Sequence, residues 1–70
     1  MLPLTMAKAG EENIIKKIGG EAGARQFLEN LGFVVGSTVT VVAAISGNLI
    51  VNIKESRVAI SREMAGKIMV

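Results

Sequence analysis

The sequence predicts a mainly β domain: a small barrel of about five short strands with one inserted α-helix. Three observations carry that expectation. From Thr38 to Ile60, Val, Ile and Thr dominate and are broken only by short turn signals. One clear apolar stripe at helical spacing runs from Ala24 to Leu31. Seventy residues without repeats or low-complexity segments make one domain, and closing short strands into a barrel removes exposed edges.

Each element has its own reason. Pro3 holds the start extended, and Leu4 and Met6, spaced by two, could begin a strand. Gly10-Glu11-Glu12-Asn13 reads as a turn. The run from Glu12 to Ile18 fits two templates. Ile14, Ile15 and Ile18 suit a helical face, yet the segment also alternates, and isoleucine favours strands. The helix spans Glu21 to Leu31. Ala24, Phe27, Leu28 and Leu31 fall at i, i+3, i+4 and i+7. Glu21 and Arg25 make a favourably oriented i,i+4 pair, and Gly32 suits the left-handed position that ends a helix. Gly23 inside it costs about 1 kcal/mol relative to Ala.

Thr38 to Ile45 alternates, with Val39, Val41, Ala43 and Ile45 on one face. Ser46-Gly47-Asn48 reads as a three-residue hairpin loop. Leu49, Val51 and Ile53 then face inward, and Glu55-Ser56 makes a second tight connection. Arg57 to Ile60 is a short strand with Val58 and Ile60 inward. Ser61 is a good N-cap for one helical turn, Arg62 to Ala65. Lys67 to Val70 forms a last strand, paired inside the sheet.

Composition narrows the function. The chain has no His, Cys, Trp or Tyr. It lacks a disulfide framework, a thiolate nucleophile, an imidazole base and zinc-finger spacing. No catalytic residue, cofactor or metal site is expected. The adjacent pair Glu11-Glu12 is too few ligands for a cation site. Met6, Met64 and Met69 read as core fillers, and Ser37, Ser46, Ser56 and Ser61 sit at turns or caps without a basic partner. Gly19-Gly20-Glu21-Ala22-Gly23 resembles a phosphate loop only loosely, because Ala24-Arg25 follows where a P-loop needs Lys and Ser or Thr. Eight basic residues against six acidic give a net charge of +2, and the basic ones are scattered, with Lys16-Lys17 as a mere dipeptide. Nucleic-acid binders show a concentrated basic stripe, so that partner is argued against.

From Asn30 to Ile53 no residue is charged, long enough to cross a bilayer. Its Ser, Thr and Gly content and the central turn signal argue for a hairpin instead. With no membrane span and no signal-peptide pattern, the expected location is the cytoplasm. A surplus of apolar residues remains. Val42, Ala44 and Ile50 lie on the outer face of the hairpin, and Phe33, Val34 and Val35 are apolar in succession. A small barrel cannot bury both faces of every strand, and such excess marks a docking surface or the seat of the helix.

The order of motifs adds a family. Arg25-Gln26-Phe27-Leu28-Glu29-Asn30-Leu31-Gly32-Phe33, then Val34-Val35-Gly36 and Thr38-Val39-Thr40-Val41, then Gly47 before Leu49-Ile50-Val51-Asn52-Ile53, and last Arg57-Val58-Ala59-Ile60 with Ile68-Met69-Val70, resemble the ferrous iron transport protein A family. The resemblance spans nearly the whole chain. It implies an SH3-like small β-barrel with one inserted α-helix and a short helical turn before the last strand, and it turns Glu12 to Ile18 toward strand. It also implies a non-enzymatic accessory or regulatory protein of bacterial ferrous iron transport. Its implied partner is the cytosolic GTP-binding region of a ferrous iron membrane transporter, at the inner face of the plasma membrane. The expected contact residues are Leu31, Phe33, Val34 and Val35, with Val42 and Ile50 on the hairpin second. The alternatives are a nucleic-acid-binding small barrel, a free-standing homologue of the C-terminal domain of metal-dependent repressors, and a homo-oligomer that hides its apolar surface against itself.

Overall fold

The β-rich half of the chain folds as its alternation dictates. In the computed structural model, which describes residues 1–70, β3 (Thr38–Ile45), β4 (Asn48–Ile53) and β5 (Ser56–Ser61) form an antiparallel meander. Short β1 (Glu12–Ile14) pairs with the other side of β3, giving the order β1-β3-β4-β5. Two-residue β2 (Lys17–Ile18) pairs instead with β6 (Ile68–Met69). Helix α1 (Ala22–Leu31) connects β2 to β3, and α2 (Arg62–Ala65) connects β5 to β6.

The ambiguous run is therefore strand, but it is divided between two sheets. The division falls at Ile15, which is fully buried. Its N–H donates to the Ser37 carbonyl at 2.9 Å, and its own carbonyl accepts from the Gly36 N–H at 2.8 Å. The next N–H, of Lys16, donates to the Met69 carbonyl at 2.8 Å. Within two residues the chain leaves one ladder and joins the other. This gives the expected SH3-like, mainly β architecture, as two sheets linked through one bent segment rather than a single closed ladder.

Thirteen residues are buried, and all are apolar. The core joins Leu4 and Ile15 from the first segment, Leu28 of α1, Phe33, the inward residues of β3 to β5, and Ala65, Ile68 and Val70. No buried side-chain N or O atom is left without a partner, so the core incurs no side-chain desolvation penalty of that kind.

Four local expectations are corrected. Leu4 to Met6 is one turn of 3₁₀ helix, not a strand. The Met6 and Ala7 N–H groups donate to the carbonyls of Pro3 and Leu4, and the turn plugs Leu4 into the core. Second, the hairpin loop has two residues, because Asn48 already pairs with Ile45. Ser46 and Gly47 both have positive φ, the mark of a type I′ turn that matches strand twist. The next hairpin likewise turns at Lys54-Glu55, with Ser56 already paired to Ile53. Third, β3 carries a bulge at Val42: Val41 pairs with Val51, but Ala43 pairs with Ile50. The extra residue flips the face beyond it. Ala43 and Ile45 thus leave the inward row, and Ile45 is exposed. Fourth, the α1 stripe is only partly covered. Leu28 is buried, Ala24 and Leu31 are half-buried, and Phe27 is 49% exposed.

The end of α1 sets the direction of the chain beyond it. Gly32 has φ 106°, and its N–H reaches the Glu29 carbonyl at 2.9 Å. The Phe33 N–H reaches back to the Leu28 carbonyl, also at 2.9 Å. These paired bonds are a Schellman motif. A Cβ on Gly32 would meet only ordinary contacts, Ile53 Cγ1 at 3.7 Å and Lys54 Cδ at 3.9 Å. Gly32→Ala should therefore lose stability through backbone strain alone, about 1–2 kcal/mol for an L-residue held left-handed. A urea titration reads this as a lower midpoint with unchanged slope. An unchanged midpoint would show that the turn relaxes at no cost.

The two ends of the chain meet. Leu2 and Val70 exchange backbone hydrogen bonds at 2.9 and 2.8 Å, and Pro3 bridges Met69. The last strand thus has β2 on one side and the first residues on the other, which is the interior pairing expected of it.

Candidate functional site

The Schellman turn sorts the apolar run after α1. It sends Phe33 inward, where it is fully buried. Val34 is then half-buried and Val35 is 64% exposed. The loop is braced on both sides: the Ser37 N–H donates to the Val34 carbonyl at 3.0 Å, and the Gly36 N–H ties to Ile15. Val35 is therefore held out in solvent by a hydrogen-bonded turn.

Beside this loop lies a cleft of about 500 Å³. Lys16, Lys17 and Ile18 form one wall, Arg25 and Glu29 of α1 another, and Val34 and Val35 a third. Local structure explains each position. Lys16 is pinned by its backbone bond to Met69, and Lys17 and Ile18 by the β2–β6 ladder. Arg25 and Glu29 are one helical turn apart and share a face.

The cleft holds three cations and one carboxylate. That excess of two equals the formal charge of the whole chain. The other five basic and five acidic side chains cancel. Three of the basic residues, scattered in sequence, are thus gathered at one site. Lys16, Lys17 and Arg25 are not readable as a group from the sequence, because only the packing of α1 beside β2 gathers them.

The expected contact residues separate. Val34 and Val35 line the cleft. Phe33 does not belong in a contact surface: its side chain is core and offers nothing to a partner. Leu31 is half-buried and packs on the core. Val42, at the bulge, and Ile50, opposite Ala59, lie on the outer face of the larger sheet. Neither lines the cleft, so the hairpin face is a second, distinct surface.

The remaining candidates lie outside the lining of the cleft. Glu11 and Glu12 are exposed, and no three carboxylates converge anywhere. Gly19 and Gly20 form a turn closed by Lys67: the Gly19 N–H donates to its carbonyl at 2.7 Å. The Lys67 stem fills the space over Gly20, where a Cβ would come within 2.8 Å of its Cδ. That leaves no cradle for a phosphate. Ser61 caps α2, accepting the Met64 N–H at 3.1 Å. No helix is long and apolar enough to cross a membrane.

Known proteins share this architecture. The family model of the FeoA domain matches residues 2–70. The Fe(2+) transport protein A of Methanocaldococcus jannaschii is 46% identical over 70 residues, covering all of this chain and 85% of that protein. A crystal structure of an iron uptake regulatory protein, FeoA, superposes with TM-score 0.87 at 31% identity, over 96% of this chain and 89% of that one. A Stenotrophomonas maltophilia FeoA solved with zinc and described as an SH3 domain protein gives TM-score 0.85 at 20% identity, over 99% and 88%.

Proposed function

The chain belongs to the FeoA family of ferrous iron transport accessory proteins, and on that footing we propose that it works by protein–protein contact with the cytosolic GTP-binding region of a ferrous iron membrane transporter. The accessory role is non-enzymatic. One observation supports the contact: Val35 stands 64% exposed on a braced loop at the rim of a cleft. A rigid apolar rim loses little conformational entropy on docking. Such contact would hold the protein at the inner face of the plasma membrane through its partner.

The test is a titration of the purified GTP-binding domain of the transporter from the same organism, with GTP, with GDP and without nucleotide. Saturable binding in at least one state is expected. No binding in any state would overturn the reading. The protein is further expected to serve iron transport without holding iron itself, since ferrous sites favour imidazole and carboxylate ligands and its carboxylates are dispersed. An anaerobic Fe²⁺ titration should show no saturable binding; one tightly held equivalent would contradict this.

A further inference from the structure

We propose that the cleft recognises an acidic peptide segment of its protein partner, with carboxylates flanking an apolar side chain. This rests on the contact reading above and adds the chemistry of the bound segment. The first support is charge complementarity. Lys16, Lys17 and Arg25 face one carboxylate, Glu29, and they account for all of the chain's excess positive charge. The net charge of the lining attracts an approaching acidic segment.

The second support is the apolar part of the lining. Ile18, Val34 and Val35 line the cleft together with the cations. A free phosphate would leave these three facing water. It would also meet the carboxylate of Glu29. Single-stranded nucleic acid needs aromatic faces on which bases stack. The cleft has none: Phe33 is buried and Phe27 does not line it. A peptide that alternates carboxylate and aliphatic side chains satisfies both halves of the lining. The four charged lining residues are all exposed, so the attraction is screened by salt.

The experiment uses two probes against the whole protein. The first is a short labelled peptide with paired carboxylates on either side of a leucine, read by fluorescence anisotropy. The wild type should bind it, and more weakly as salt rises. Lys16→Glu combined with Lys17→Glu and Arg25→Glu should weaken it by about tenfold or more, and the corresponding Gln triple variant by less. Glu29→Gln should tighten it. Peptides with the carboxylates amidated, or the leucine changed to serine, should bind worse. Because the changed residues are exposed, all variants should melt near the wild-type temperature. No wild-type binding, or equal binding of the amidated peptide, would overturn the proposal. So would an oligothymidine that binds as tightly and competes, which would assign the cleft to nucleic acid.

The second probe is the transporter's GTP-binding domain. If it binds the wild type and the Glu triple variant equally, the cleft proposal fails and the contact reading stands. If the wild type binds the peptide but not the domain, the cleft proposal stands and the transporter is the wrong partner.

Discussion

Phe33→Ala is expected to remove most of the protein's stability. Phe33 is the largest of the fully buried side chains. Removing a buried Phe costs about 3–5 kcal/mol, as lost transfer energy plus a cavity the surroundings fill only partly. A domain of this size buries only about 60% of its unfolded surface and sits at the low end of the usual range of about 5–15 kcal/mol. It has no disulfide to limit the unfolded state. The position is sensitive for a second reason: Phe33 follows the Schellman glycine and shares the core with Leu28, so its side chain helps hold the helix end in place. Circular dichroism over a urea series should show the loss, with Phe33→Leu affected much less. A Phe33→Ala protein with near wild-type stability would mean that the core can close over the gap.

Val35→Glu should do the opposite: keep the fold and lose the partner. The residue is exposed and lies outside the core cluster, so its substitution belongs among surface changes of within about 0.5 kcal/mol. At the cleft rim the new carboxylate would both remove apolar area and sit beside Lys16, Lys17 and Arg25. Binding to the transporter domain is expected to fall by about tenfold or more, the range in which central interface residues act. Val35→Ser separates the two causes, since it removes the apolar group without adding charge. An intermediate loss is expected. Full binding by both variants would remove the loop from the interface. Val34 is the poorer choice for this test, because it is half-buried and a charge there would disturb packing as well.

Much of this fold is legible in the sequence because local rules and tertiary demands agree. Val, Ile and Thr dominate from Thr38 to Ile60, and the meander is where it should be. Gly32 and Ser61 occupy the cap positions that their chemistry favours. The two-residue hairpin loop, the bulge and the division at Ile15 share a cause, which is that they depend on counting residues across strands. Nothing in Val41-Val42-Ala43 marks Val42 as the extra residue; the bulge exists only relative to β4. The division at Ile15 depends on Ser37 and Met69, both distant in sequence. A spacing of two suggests a strand at Leu4 and Met6, but three residues after a proline suffice for a turn. The candidate site is half legible for the same reason. Val34 and Val35 stand out as an unexplained apolar pair, whereas Lys16, Lys17 and Arg25 look ordinary until the helix brings them together.

The adjoining chain ends have a practical consequence for anyone handling the protein. Pro3, Met69 and Lys17 lie side by side across neighbouring backbone segments. A purification tag at either terminus therefore starts from the same spot, close to a wall of the cleft. Moving the tag from one end to the other changes its surroundings little. A carboxylate-rich tag would be tethered at high local concentration beside the cations it could occupy, and would act as an internal competitor. A tag inserted at the Ser46-Gly47 tip, on the β3–β4 hairpin, avoids that, and residues 2 and 70 are close enough to be joined by a short linker into a circularly permuted chain.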